Sequence, residues 1–243
     1  MKLRLDKLLL LRNLADSRHK AQAMIGAGQV WVNGLRCDKA GSQVADDCRI
    51  EIRGRECPFV SRGGLKLAKG LEYFAIDPTG LVCADIGAST GGFTDCLLQN
   101  GAAKVFAIDV GYGQLDWSLR QDPRVVVMER TNARHLTPAD LGEPIDLAVM
   151  DAAFISLKLL LPPLLPLFRG SAAIVALIKP QFEVGRDKIG KGGVVRDPTL
   201  HQEVIADILA FTTTIGLTSH GVTDSPILGP KGNKEFLVHL TRE

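Results

Sequence analysis

The sequence predicts a doubly wound, mainly parallel α/β sheet preceded by a small α+β module. Three observations carry that expectation. From residue 63 onward, strand-like apolar runs alternate with helical stretches, the pattern of parallel strands joined by crossover helices. The run at 81–84 leads directly into a glycine-rich turn and a helix from Gly92, and such sheets hold ligands outside the carboxyl ends of their strands. The first 62 residues lack that alternation and are basic, with a net charge of +5 against −3 for the remainder and +2 overall.

In the basic segment, Leu5, Leu8, Leu9 and Leu11 form a helical stripe. Asp16 or Ser17 can cap a second helix whose apolar positions include Ala21, Met24 and Ile25, and Gly26 and Gly28 stop it. Val30-Trp31-Val32 then runs into an Asn33-Gly34 hairpin turn, and a second strand pair ends at Arg49-Ile50-Glu51-Ile52. Pro58 and Ser61-Arg62-Gly63-Gly64 mark the linker, so the expected domains are 1–60 and 61–243. Arg4-Leu5-Asp6-Lys7-Leu8-Leu9, Ser17-Arg18 with Ala21, and the stretch from Gly28 to Gly34 resemble the RNA-binding domain named after a ribosomal small-subunit protein. The resemblance implies that Arg4, Lys7, Arg18 and Lys20 face structured RNA. Phosphate contacts of that kind supply affinity and orientation rather than sequence choice.

In the body, an amphipathic helix is expected over 64–75, strands over 81–84, 104–108, 125–128, 145–150 and 172–178, and a last strand over 235–240. Helices fall between them at 92–100, 115–121, 157–168 and 198–215, while the glycine- and lysine-rich stretch 183–197 reads as a mobile loop. A hydrophobic content of 46% with 23% charged residues supports a sizeable core. The longest apolar stretch, 157–168, contains three prolines and falls short of the ~20 residues a membrane helix needs. Five cysteines without a Cys-x-x-Cys pair argue against a disulfide framework and a zinc site and fit a reducing cytoplasm.

The turn Asp85-Ile86-Gly87-Ala88-Ser89-Thr90-Gly91-Gly92 admits three ligands. A nicotinamide dinucleotide requires a central glycine where Ser89 stands, and a phosphate-binding loop requires a lysine that is missing. The stretch from Gly185 to Gly192 matches the phosphate loop only as far as Lys191 and lacks the flanking strand and helix. S-adenosylmethionine has no phosphate. It needs glycines that admit its methionine part, a carboxylate near its ammonium and an acid for its ribose. Gly87, Asp85 and Asp109 meet those needs, with Asp109 lying 22 residues beyond Gly87 at the end of the next strand. Ser89, Gly91, Gly92 and Phe93 complete the expected cofactor turn.

The acceptor side follows strand 145–150 at Asp151-Ala152-Ala153-Phe154. Enzymes that methylate exocyclic base nitrogens carry two prolines there, and both are missing. A cysteine nucleophile for a pyrimidine carbon is also missing from this region, since all five cysteines precede residue 97. The strand ends instead offer charge, in the order Lys66, Asp151, Lys179, Glu235. With Ser61-Arg62-Gly63-Gly64-Leu65-Lys66-Leu67, Lys179-Pro180-Gln181-Phe182-Glu183, Gly190 to Pro198 and Gly232-Asn233-Lys234-Glu235-Phe236, the chain resembles the haemolysin A (TlyA) family of ribosomal RNA methyltransferases, themselves similar to FtsJ-type ribose methyltransferases. Ala152-Ala153 departs from the family's commoner leucine-serine and leaves the carboxylate intact.

The resemblance implies a Rossmann-like methyltransferase sheet and 2′-O-methylation of ribosomal RNA, of a cytidine, without a metal. A start at Met1 with almost nothing before the basic module resembles the type restricted to large-subunit RNA. Lys179 is the expected base, disposed to the neutral form by a second ammonium at Lys66; Asp151 orients it, and Glu235 holds Lys66 or the ribose. Asn132 and Arg134 are expected on the adenine side, Phe154 and Phe182 as stacking partners for a flipped base. The loop carrying Lys191 and Arg196 is expected to close over RNA. Two other readings stay open: a non-catalytic ribosome-assembly factor and a membrane-lysing protein.

Overall fold

A computed structural model describes residues 2–26, 28–53, 57–185, 188–190 and 192–243. The chain forms two compact units, Met1–Glu56 and Cys57–Glu243.

The first unit opens with β1 (Lys2–Arg4), α1 (Leu5–Leu11) and α2 (Arg18–Gly26), followed by β2 (Val30–Val32), β3 (Leu35–Arg36), β4 (Gln43–Ala45) and β5 (Ile50–Ile52). Ser17 rather than Asp16 caps α2, its Oγ accepting from the Lys20 N–H at 3.1 Å. Asn33 and Gly34 are both left-handed, with φ of 50° and 80°, the backbone a two-residue hairpin between β2 and β3 requires. The short β1 escapes the sequence reading because its pairing with β4 is non-local. Leu5, Leu9, Ala21, Ile25 and Val30 are fully buried between the helices and the β3-β2-β5 sheet.

The second unit runs α3 (Gly63–Tyr73), β6 (Val82–Ile86), α4 (Gly92–Gln99), β7 (Lys104–Ile108), α5 (Trp117–Gln121), β8 (Val125–Met128), α6 (Pro138–Leu141) and β9 (Ile145–Met150). It continues with α7 (Leu157–Leu164), β10 (Phe168–Ile178), α8 (Pro180–Glu183), α9 (Pro198–Thr214), β11 (Thr218–Asp224) and β12 (Phe236–Arg242). The expected doubly wound sheet is present, in the order β11-β12-β10-β9-β6-β7-β8. β10, β9, β6, β7 and β8 are parallel, while β12 runs antiparallel to both of its neighbours. Apolar side chains bury on both faces of the central strands, which is why those strands read as continuous apolar runs.

In this unit the end of α7 and the strand β11 differ from expectation. The helix predicted over 157–168 stops at Leu164 and tightens into a 3-10 turn over Leu165–Leu167, because Pro166 has no N–H to continue the ladder. Phe168 therefore already belongs to β10, opposite Ile145. β11 has no counterpart in the sequence expectation: Thr-Ser-His-Gly-Val-Thr-Asp is a polar edge strand paired on one side only, with a register shift between Ser219 and Val222.

Candidate active site

β6 pairs with β7 on one side and β9 on the other, so the connections leaving β6 and β9 diverge and open a crevice beyond their carboxyl ends. That crevice is a cleft of about 950 Å³, ample for a nucleoside-sized ligand.

The turn after β6 forms one wall. Gly87 has a φ of +83°, and a Cβ there would stand 3.0 Å from the Ala152 Cα, so only glycine lets the turn cross the end of β9. At Gly92 a Cβ would meet the Ser61 Oγ at 2.3 Å and the Gly64 nitrogen at 2.8 Å, which is how α3 and α4 come together. Ser89 is left-handed, and Gly91 caps α4 with a φ of 96°. Phe93 lines the cleft while packing into the core behind it.

Asp85 is fully buried. Its Oδ2 accepts from the Thr94 N–H at 2.9 Å and the Thr94 hydroxyl at 2.7 Å. Thr94 sits in the first turn of α4, where N–H groups lack helical partners, and a nine-residue separation gave no sequence signal for it. The Asp85 Oδ1 has no hydrogen-bond partner. Burial pushes this carboxyl up to about 7, the Thr94 hydrogen bonds oppose that shift, and the Asp151 charge adds to it. Asp109 pins two loops, accepting from the Ser89 N–H at 2.8 Å and the Gly111 N–H at 2.6 Å. Asn132 and Arg134 are exposed on the cleft wall, where the Asn132 Oδ1 accepts from the Arg134 N–H at 3.1 Å.

The other wall carries Lys66, Asp151 and Lys179, with buried Glu235 behind them. Lys66, on α3, donates to Glu235 Oε2 at 2.8 Å and to Asp151 Oδ2 at 3.1 Å. Lys179 lies 2.5 Å from Asp151 Oδ1 and donates to the Asp151 carbonyl at 3.1 Å. Asp151 and Lys179 follow β9 and β10, while Glu235 precedes antiparallel β12, and this brings all three to the same end of neighbouring strands. Burial pulls the Lys66 ammonium down, yet the Asp151 and Glu235 carboxylates outweigh it and raise its pKa above the ordinary lysine value. Lys66 is therefore a cation. The two lysines take different oxygens of Asp151, so a carboxylate stands between the ammonium groups that the sequence placed side by side. Glu235 Oε1 is buried without a partner, and a Cβ on Gly229 would lie 2.0 Å from it.

Phe154, at the cleft rim, is 90% exposed with a φ of 64°, and its ring centroid lies 5.1 Å from that of Phe182. The loop expected to be mobile is anchored over its described part. Asn233 accepts from the Val195 N–H and donates to the Gly193 and Pro230 carbonyls, each at 3.1 Å, and the His201 Nε2 meets the Val195 carbonyl at 2.9 Å. Val194 and Val195 are buried there. Arg196 is exposed and does not line the cleft, and Lys191 lies outside the described residues. In the first unit, Arg4, Lys7, Arg18 and Lys20 are all exposed; Arg4 and Arg18 pair with buried Asp6, and Lys20 with Asp16 at 2.7 Å.

Among the described residues no helix is long and apolar enough to cross a membrane, and no group of three or more His, Cys, Asp or Glu is placed to hold a metal ion. Residues 59–242 match the FtsJ-like methyltransferase family and residues 3–47 the S4 domain. The chain is 50% identical over 238 residues to the 16S/23S rRNA (cytidine-2′-O)-methyltransferase TlyA of Mycobacterium tuberculosis, spanning 98% of this chain and 89% of that one. It is 40% identical over 239 residues to Hemolysin A of Brachyspira hyodysenteriae, spanning 98% and 99%. A solved structure from Streptococcus thermophilus that carries a provisional hemolysin name matches with a TM-score of 0.79 and 44% identity, over 99% of this chain and 88% of that one.

Proposed function

Because the chain belongs to the FtsJ-like methyltransferase family and carries an S4 domain ahead of it, we propose that it methylates the ribose 2′-hydroxyl of a cytidine in ribosomal RNA, in the large subunit, with S-adenosylmethionine as donor. In this reading residues 1–60 bind RNA, residues 61–243 transfer the methyl group, and the enzyme works in the cytoplasm. The observation that carries it is the Lys66–Asp151–Lys179 set on the wall of a cleft, backed by buried Glu235, with an opposite wall that suits that donor.

The donor fits the residues present. A buried carboxylate oxygen without a partner at Asp85 suits its ammonium, and Asp109 keeps lone pairs for ribose hydroxyls. Gly87, Ser89, Gly91, Gly92 and Phe93 would cradle the methionine part, with Asn132 and Arg134 on the adenine side. When bound, S-adenosylmethionine supplies an electrophilic methyl group on a sulfonium.

The chain's own residues manage the acceptor. A 2′-hydroxyl is a very weak acid, so its proton must leave as the oxygen attacks. In this reading Lys179 Nζ takes that proton, and Asp151 Oδ1, 2.5 Å away, orients it. Lys66, held cationic by Asp151 and Glu235, fixes the orientation of Asp151. Phe154 and Phe182 offer faces on which a displaced base can stack. Arg4, Lys7, Arg18 and Lys20, together with Lys191 and Arg196, supply phosphate contacts. The hemolysin word attached to some relatives is a name and adds no observation on this chain. The deciding experiment is mass mapping of methylated nucleotides in ribosomal RNA incubated with the protein and labelled S-adenosylmethionine. A single new 2′-O-methylcytidine is expected; transfer to a base, or none, would overturn the reading.

A further inference from the structure

Away from the cleft, the most fully coordinated buried charge lies in the basic unit. Asp6 is 0% exposed, yet its carboxylate accepts four hydrogen bonds. Arg4 donates from Nε to Oδ1 at 3.0 Å and from Nη2 to Oδ2 at 2.9 Å, and Gln22 and Arg18 Nε reach Oδ2 at 3.0 and 3.1 Å. Arg4 ends β1 and Arg18 opens α2, so one carboxylate ties together guanidinium groups from two elements. Both arginines remain open to solvent, with side-chain exposures of 44% and 59%. Arg4 Nη1 and both Nη atoms of Arg18 make no hydrogen bond among the described residues.

A carboxylate is a costly thing to bury inside a module whose task is to attract a polyanion, because its charge cancels half of what the two arginines offer. The geometry accounts for its presence. A guanidinium held along its Nε edge keeps its outer nitrogens in a fixed plane, and that planar fork matches a phosphate. The rotamer freedom that a loose surface arginine gives up on binding is here already lost on folding. We propose that Asp6 is a positioning residue that locks Arg4 and Arg18 into a single seat for an RNA backbone phosphate, without touching RNA itself. The proposal rests on the RNA-binding reading above.

Charge and positioning predict opposite signs for Asp6→Asn, which keeps the side-chain size and removes the negative charge. If charge alone governs, the variant gains net positive charge, binds RNA more tightly and shows a steeper loss of affinity with salt. If Asp6 positions the arginines, affinity falls by roughly tenfold, since two side chains must be ordered anew, and the salt slope does not steepen. Arg18→Lys keeps the charge on an exposed side chain and gives up the fork; roughly threefold weaker binding is expected. The measurement uses the full chain and an in vitro transcript of large-subunit ribosomal RNA, titrated at several salt concentrations, with the melting transition and S-adenosylmethionine affinity as controls. Asp6→Asn binding at or above wild-type affinity overturns the proposal. Should Asp6→Asn fail to fold, Arg18→Lys decides: wild-type affinity overturns the proposal and weakened binding with normal melting sustains it. A wild-type chain that leaves the transcript unbound overturns the parent reading and this one together, whereas unaffected variants overturn this one alone.

Discussion

Asp85 holds one oxygen on Thr94 and leaves the other buried and bare, and this arrangement has a pH signature. Its carboxyl, raised by burial to about 7, sits above its unfolded value, so protonation favours the fold. That contribution is fully present below the ordinary aspartate range and is lost as pH rises through about 7. A bound ammonium reverses the preference by stabilising the carboxylate. The rise in melting temperature produced by S-adenosylmethionine should therefore be larger at pH 7.5 than at pH 6, and Asp85→Asn should remove most of the difference; scanning fluorimetry at both pH values reads it directly. Lys179 is tested by turnover. Lys179→Ala should lower kcat by ~10²–10⁴-fold, the usual worth of a general base, while calorimetry finds donor affinity unchanged. Turnover near that of the wild type would remove Lys179 from the mechanism.

At the scale of elements, the contact between the β6–α4 turn and the end of β9 is tight enough to be probed by one methyl group. Gly87→Ala places a Cβ 3.0 Å from the Ala152 Cα on a residue with a φ of +83°. The left-handed backbone alone is worth ~1–3 kcal/mol, so a lower unfolding midpoint in urea and weakened donor binding are expected together. An unchanged midpoint would mean that the turn relaxes freely. The same turn was legible from the sequence, because an acid, glycines and a second acid one strand later are a local pattern. So were the central strands, whose apolar runs follow from burial on both faces. β1 and β11 were not legible: the first is three residues paired with a distant strand, and the second is polar because it lies at an edge. The role of Thr94, donating to the Asp85 carboxylate, and that of Asn233, tying the Val195 and Gly193 backbone, escaped for a related reason, since folding alone brings these groups together.

At the scale of the molecule, the proposed function assigns affinity to a basic unit and chemistry to an acidic body. RNA affinity should fall steeply between 50 and 200 mM salt, about 10³–10⁵-fold if six to ten phosphates are contacted, whereas donor affinity should change little; parallel titrations compare the two. Equal salt dependence would contradict the division. The charged set shows where sequence reasoning ends. Lys66 and Glu235 stand 169 residues apart, and no spacing rule joins them; their places at the ends of predicted elements singled them out, and the antiparallel insertion of β12 accounts for their meeting.

That insertion also sets a clock. During synthesis at 5–20 residues per second, Lys66 waits roughly ten to thirty seconds for Glu235. The residues named for the donor all precede Asp151, whereas β10 lacks its second neighbour, and Lys66 one of its two carboxylates, until β12 is made. The residues of the donor turn are thus synthesised well before the last carboxylate of the charged set. The set is closed last, by the strand that Glu235 leads into.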